Sequence, residues 1–319
     1  VAGGESVKYV LVRIAQTVPV LVIVAVIAFT IMHMTPGDPA AVILGENATA
    51  QQVSDLRQQM GLDKPLYVQF FVWFGNLLRG NLGYSAILQQ SVNQALMEHL
   101  QPTLFLSLGA ELIACIIAIP AGVFAARKRG TWLDMAFMSV TLLGISTPSF
   151  FMALLLVLLF TVKLGLLPVG GYVSPFDDFG QFLSSMAMPM LALAIIQASL
   201  IARMTRSSVL DTLGLNYIET AKSKGISEFE LMVRHALRNS AMPIITVVGQ
   251  SVGTLLTGAI IIETVFNIPG IGQLVSNSIL RRDYEVIQGI VLVSALIYVV
   301  INFLVDLSYG LLDPRVRRK

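Results

Sequence analysis

Cysteine occurs once in this chain, at Cys115, too rarely for a disulfide framework or a cysteine-ligated metal; it reads as a small packing residue inside an apolar run. There are three histidines, His33, His99 and His235. The topology argued below puts His235 on the opposite membrane side from the other two, so they form no common metal site or acid–base pair. The chain holds no His-Glu-x-x-His and no Ser/His pair suited to intramembrane proteolysis, which argues against an active site. No Gly-Lys dipeptide occurs, so nucleotide phosphates find no P-loop, and any ATPase that drives this protein is a separate chain. Charge is scarce as well. Only 13% of residues are charged against 55% hydrophobic, a balance that excludes an ordinary soluble domain. The net charge of +2 carries no nucleic-acid signal, because topology accounts for the basic residues.

What is present is a set of long apolar runs. Six are long enough, or nearly so, to cross a bilayer at about 20 residues each: 14–32, 104–126, 135–162, 188–202, 242–265 and 286–309. The fourth is the shortest and is expected to continue as helix through Arg203. The chain is therefore read as an all-α polytopic membrane protein with six transmembrane helices. With the N-terminus inside, 15 of the 21 Lys and Arg residues fall on the inner side, which sets both termini in the cytoplasm. The first run is longer than a signal-peptide core and is followed by Pro36-Gly37-Asp38-Pro39 rather than a cleavage site, so it is read as a retained span. Residues 1–7 lack an initiator Met and read as a processed start or an expression remnant.

The chain is divided into a tail and first span (1–34), an outer helical region (35–103), and a five-span core (104–319) that carries a cytoplasmic loop at 203–241. In the outer region, Thr49 and Gln52 fit a capping box, with Gly61 as the stop. A second helix is expected from Asp63 to Arg79, with Leu66, Phe70, Trp73/Phe74 and Leu77/Leu78 on one face. Packing of that face within the protein is favoured over lying on the membrane surface. Pro148 predicts a kink or break near Ser146. A turn at Pro269-Gly270 is expected to lead into a short re-entrant or surface helix. No internal repeat stands out.

Ionisable residues inside spans are costly and are candidates for function. Glu111, Glu263 and Asp306 qualify, with Asn302 one turn from Asp306 and Gln197 as a pathway-lining or helix-bridging amide. For each acid an interhelical hydrogen bond or a cap is favoured over a proton relay. The segment 217–225, YIETAKSKG, fits a short amphipathic helix with Gly225 as terminator. There Glu219 is free to pair with a basic groove, and the small Ala221 admits a close partner surface. By pattern alone, this docking role and a plain solvated connection fit equally.

At this loop the chain resembles the permease subunits of bacterial ABC importers, whose motif runs Glu-Ala-Ala, three residues, Gly, nine residues, then Ile-x-Leu-Pro. Here it reads Glu219-Thr220-Ala221, then Gly225. The later part departs, with His235, Leu237 and Arg238 in place and a proline only at Pro243. That departure, RHALRN at 234–239, is similar to the dipeptide/oligopeptide (peptide/nickel/opine) branch. So are HMTPGDPA (33–40), GLDKPLYVQF (61–70), GNLGYS (80–85), VKLGLLPVGG (162–171), ARMTRSSVLD (202–211), ETVFNIPGIG (263–272), RRDYEVIQG (281–289) and LLDPRVRRK (311–319). The resemblance implies a type I ABC importer permease fold in the bacterial inner membrane, and import of di- or oligopeptides or a related solute. It implies as partners a second homologous permease, two ABC ATPase subunits that bind ATP and Mg, and an extracytoplasmic substrate-binding protein. The chain itself would be no enzyme and hold no cofactor. By the same resemblance, Tyr217, Glu219, Ala221 and Gly225 lie on the helix that couples to the ATPase. The competing reading is a six-span proton- or ion-coupled carrier, and a scaffold or receptor without transport is a third.

Overall fold

The structure, a computed structural model, describes residues 2–34, 39–45 and 48–312. Pro36-Gly37-Asp38 and the basic residues Arg315, Arg317, Arg318 and Lys319, used above for topology and resemblance, lie outside the described residues. In chain order the helices are α1 (Ala2–Met34), α2 (Pro39–Leu44), α3 (Ala50–Gln59), α4 (Leu66–Leu78), α5 (Val92–Arg127), α6 (Trp132–Ser146) and α7 (Ser149–Leu156). They continue with α8 (Phe179–Leu213), α9 (Asn216–Ser223), α10 (Glu228–Glu230), α11 (Ala241–Phe266), α12 (Ile271–Arg281) and α13 (Tyr284–Leu312). A two-stranded hairpin, β1 (Tyr84–Ser85) and β2 (Gln90–Ser91), pairs Tyr84 with Ser91 in antiparallel register.

Five helices, α1, α5, α8, α11 and α13, are long and apolar enough to cross a membrane. The sixth span is broken. α6 and α7 meet at 102° across Thr147-Pro148, and the chain continues past α7 as wide π-type turns over Val157–Lys163. Pro148 explains the break, because its ring cannot fit the turn before it and it donates no backbone hydrogen bond. α8 has 35 residues and a length of about 52 Å, well beyond the hydrocarbon thickness of about 30 Å. Arg203 and Arg206 lie on this same unbroken helix, as the expected continuation through Arg203 requires.

The chain forms two compact units. One holds residues 102–272 with the first ten residues and the stretch from 300 onward; the other holds 11–101 and 273–299. The core of the first unit follows a membrane rule: helices without a hydrophobic drive to associate pack through small residues. On α5, Ala110, Ala114 and Ala118 recur every fourth position and are buried. At Gly122 a Cβ would stand 2.6 Å from the Ala202 carbonyl of α8, so only glycine permits this approach. Met186, Met188, Leu193 and Ile201 of α8, with Leu255, Ile262 and Phe266 of α11, complete this core.

The end of the first unit where α11 turns toward α12 is built around Glu263, which is fully buried. Its carboxylate accepts from the Thr103 hydroxyl at 2.5 Å, and that hydroxyl in turn accepts from the Ile271 amide at 2.8 Å. Gly270 and Gly272 give the carboxylate its room, since a Cβ at either would collide with it. Asn267 adopts the left-handed conformation that ends α11, and the chain then turns into α12. The expected Pro269-Gly270 turn and short helix are present, with Glu263 as the group that shapes them.

In the second unit, Thr49 and Gln52 form the expected capping box and Gly61 takes a φ of +69° after α3. α4 begins at Leu66 rather than Asp63, because Pro65 serves as its N-cap and leaves Asp63-Lys64 in the preceding turn. Phe70 and Trp73 pack on Phe29 of α1 at ring separations of 5.3 and 5.6 Å, so this part of the face packs within the protein. Leu66 and Leu78 lie outside the packed face and are exposed. His33 Nε2 lies 3.0 Å from Gln69 Oε1, and Ser85 donates to Asp283 at 2.5 Å.

Candidate functional site

Two features of the first unit concentrate polar groups. The first is the loop that follows α8. α9 lies on the chain's own surface: Ile218 is fully buried and Ala221 nearly so, packed with Leu231, with Leu213 and Ile226 alongside. This corrects the expectation that Ala221 is small in order to admit a partner. Its methyl faces inward, and its size lets α9 sit close to the π-type turns at Leu231–Leu237. Glu219, Thr220 and Lys222 are exposed instead, and Tyr217 is partly so. The Tyr217 hydroxyl donates to the His235 carbonyl at 3.2 Å and accepts from Asn239 Nδ2 at 2.5 Å. The RHALRN stretch thus holds α9 by one side chain and one carbonyl.

Gly225 takes a φ of +75°, the left-handed conformation that closes a helix C-terminus, while open space surrounds the position of a Cβ. Glycine is needed there for its backbone and not for want of room. Beyond it, Ser227 caps α10 by accepting from the Glu230 amide. Glu228 then takes a bidentate contact from Arg127 at 2.8 and 2.5 Å. Arg127 beside it holds the Glu228 carboxyl below its ordinary range. Ser240 is buried, with its hydroxyl 2.8 Å from that of Thr212, and it donates to the Ser208 carbonyl at 2.9 Å. Arg206 reaches Asp134 at 2.6 and 2.7 Å, and Asp134 also accepts from the Gly130 amide. Together these contacts tie the loop to the ends of α5 and α8, and tie α6 to α8. Phe229, 77% exposed, is an aromatic on the same loop that sequence reasoning passed over. Its exposure has no signature in the apolar pattern.

The second feature is a polar chain that crosses α5, α11 and α8. Glu111 accepts from Ser251 at 2.6 Å, the Ser251 carbonyl accepts from Thr254 at 2.8 Å, and Thr254 accepts from Gln197 Nε2 at 3.0 Å. Glu111 Oε2 and Gln197 Oε1 are buried with no hydrogen-bond partner. A cavity of about 590 Å³ runs beside this chain, lined by Gln197, Arg203, Gln250, Ser251 and Thr254 among others. Of the five polar candidates, Glu111 and Gln197 thus belong to one network, and Glu263 shapes the turn after α11. Asn302 and Asp306 sit half-buried one helical turn apart on α13.

The described residues thus combine an apolar helical core with a broken span and a short helix held on a charged loop. Residues 118–318 match the family described as binding-protein-dependent transport system inner membrane component, and residues 6–107 match its N-terminal companion. The chain belongs to this family. A peptide transport system permease protein of Brucella suis is 43% identical over 95% of this chain and 97% of that protein. The glutathione transport system permease of Escherichia coli O6:H1 is 39% identical over 98% of this chain and 99% of that protein. A chain of the MetNI methionine ABC transporter, solved in inward-facing form, superposes with a TM-score of 0.57 at 16% identity. That match covers 69% of this chain and 97% of the other, and it establishes the fold. The protein is a permease of an ABC importer in the inner membrane and not a self-sufficient carrier.

Proposed function

We propose that the protein passes short peptides across the inner membrane, taking them from an extracytoplasmic binding protein. ATP hydrolysis on separate ATPase subunits drives the passage. The relatives named for peptide and glutathione transport support the substrate class, because they match nearly the whole chain and not one segment. The full assembly is a second permease beside this one and two ATPases that carry ATP and Mg. In this reading both termini are cytoplasmic, as the distribution of Lys and Arg favours.

The observation that carries the mechanism is the geometry of α9. It presents Glu219 and Thr220 outward while Ile218 and Ala221 anchor it inward and Tyr217 ties it to Asn239. A helix held this way moves as a unit with the ends of α8 and α11. A push from an ATPase on its outer face is then transmitted to the spans. Closure of the ATPases biases one of two packings of the helices, and nucleotide release biases the other. Gly225 fixes the end of the helix, and Arg127–Glu228 braces the loop behind it.

Reconstitution of the permeases, ATPases and binding protein in liposomes tests the proposal. The expected result is accumulation of a labelled tripeptide that requires both ATP and the binding protein. Accumulation of a non-peptide solute alone, with no peptide uptake under the same conditions, would overturn the substrate assignment.

A further inference from the structure

We propose that the cavity between α8 and α11 is a contact site for the C-terminal segment of a short peptide, with Arg203 taking its carboxylate and the side-chain amides of Gln197 and Gln250 taking its peptide bonds. The inference rests on the peptide reading given above and names residues that reading does not use.

Three observations carry it. Gln197 is 6% exposed, it lines the cavity, and its Oε1 has no hydrogen-bond partner although its Nε2 is held by Thr254. A buried amide oxygen left open beside a cavity is an acceptor for an N–H that enters it, because it has given up its water without gaining a partner. Arg203 lines the same cavity, is exposed, and has no ion-pair partner among the described residues. Its neighbour Arg206 is taken up by Asp134. Lastly, the groups are spaced for a chain. Gln197 and Arg203 are six residues apart on α8, about 9 Å along the axis. An extended peptide covers that distance in about three residues. Gln250, exposed on α11, lies on the same face as Val247, Ser251 and Thr254 at the spacing of one helical turn, so both walls offer amide or hydroxyl groups.

The chemistry suits a carrier of mixed peptides. An amide side chain offers both N–H donors and a carbonyl acceptor, the complement of a peptide bond, and takes no notice of the side chains between. A cavity of about 590 Å³ falls within the range of small-ligand sites. The guanidinium supplies a paired donor for the terminal carboxylate. The site therefore reads the backbone and its free end.

The test uses the purified importer complex, without binding protein, in which Cys115→Ser removes the native thiol and Ser207→Cys places a reporter in the cavity wall. The rate of thiol labelling is followed with tri-alanine or with its C-terminal amide. Tri-alanine at millimolar concentration is expected to slow labelling severalfold, and the amide to have little effect. Arg203→Gln should abolish the difference and Arg203→Lys should retain part of it. Equal labelling rates with and without tri-alanine would overturn the site, as would equal protection by acid and amide. The comparison of acid with amide needs no substitution at Arg203, so a poorly folded variant does not blunt it. ATP-dependent peptide uptake by the full complex is measured in parallel. Uptake without protection refutes this site alone, whereas absence of any peptide uptake refutes the peptide reading.

Discussion

Replacing Tyr217 with Phe removes one hydroxyl and leaves the rest of α9 in place. That hydroxyl donates to the His235 carbonyl at 3.2 Å and accepts from Asn239 at 2.5 Å, and the side chain is 37% exposed. A net contribution of about 0.5–1.5 kcal/mol per intramolecular hydrogen bond applies, and partial exposure lets water replace much of it. For the pair together about 1 kcal/mol is expected, which is about a fivefold shift toward the undocked helix. Hydrogen exchange of the 216–225 amides in nanodiscs reads this shift directly, because α9 opens locally without the core. Protection there should fall about fivefold, with the amides of α5 and α8 unchanged. Ile218→Ala serves as the upper reference: Ile218 is fully buried and its truncation costs about 2–5 kcal/mol, enough to lose protection of α9 altogether. If Tyr217→Phe left protection at 216–225 unchanged, or lowered it equally throughout the first unit, the view of Asn239–Tyr217 as a local tether would be wrong.

Gly225→Ala should lower ATP-driven uptake while expression is retained, at a cost of about 1 kcal/mol, because the strain lies in a φ of +75° and not in a clash. Gly225→Asn, which tolerates that conformation better, should be milder; equal effects in an uptake assay would refute the backbone argument. Asp134→Asn leaves Arg206 without its anion in a mostly buried site, so a loss of about 3–5 kcal/mol is expected, read as a lower unfolding temperature in detergent. An unchanged unfolding temperature would count against the brace. For the exposed Arg127–Glu228 pair, the folded carboxyl titrates below its unfolded value, so the contact is fully present at neutral pH. It is lost as pH falls through the depressed folded value. Protection at α10, taken relative to the intrinsic exchange rate at each pH, should therefore fall on acidification in the wild type, and Glu228→Gln should remove that acid step; persistence of the step in the variant would refute its assignment.

What the sequence made legible was local. The Thr49–Gln52 box, the stop at Gly61 and the break at Pro148 each depend on residues within a few positions of one another. The apolar runs give the helices that cross, because run length alone meets the bilayer requirement. Partners far apart in sequence were not legible. Thr103 and Glu263 are 160 residues apart, Glu111 and Ser251 are 140, and Asp134 and Arg206 are 72. Each acid stood out because a charge in an apolar run is conspicuous, yet nothing in the run names the group that answers it. Ala221 shows the same limit from the other side. Its size is plain in the sequence, but whether a small residue faces a partner or its own chain depends on where Leu231, at the start of the π-type turns, lies. Gly225 is legible as a terminator, and its left-handed backbone gives the reason.

The central claim is that α9 carries the ATPase's motion into the spans, and a reversible cross-link tests it most directly. In a Cys115→Ser background, Glu219→Cys is paired with single cysteines in the ATPase groove of the assembled complex, and uptake is followed through oxidation and reduction. The account predicts a disulfide between the two subunits that stops ATP-driven uptake and releases it again on reduction. A complex in which Cys at 219 labels freely with and without ATPases, and in which oxidation leaves uptake untouched, would contradict it.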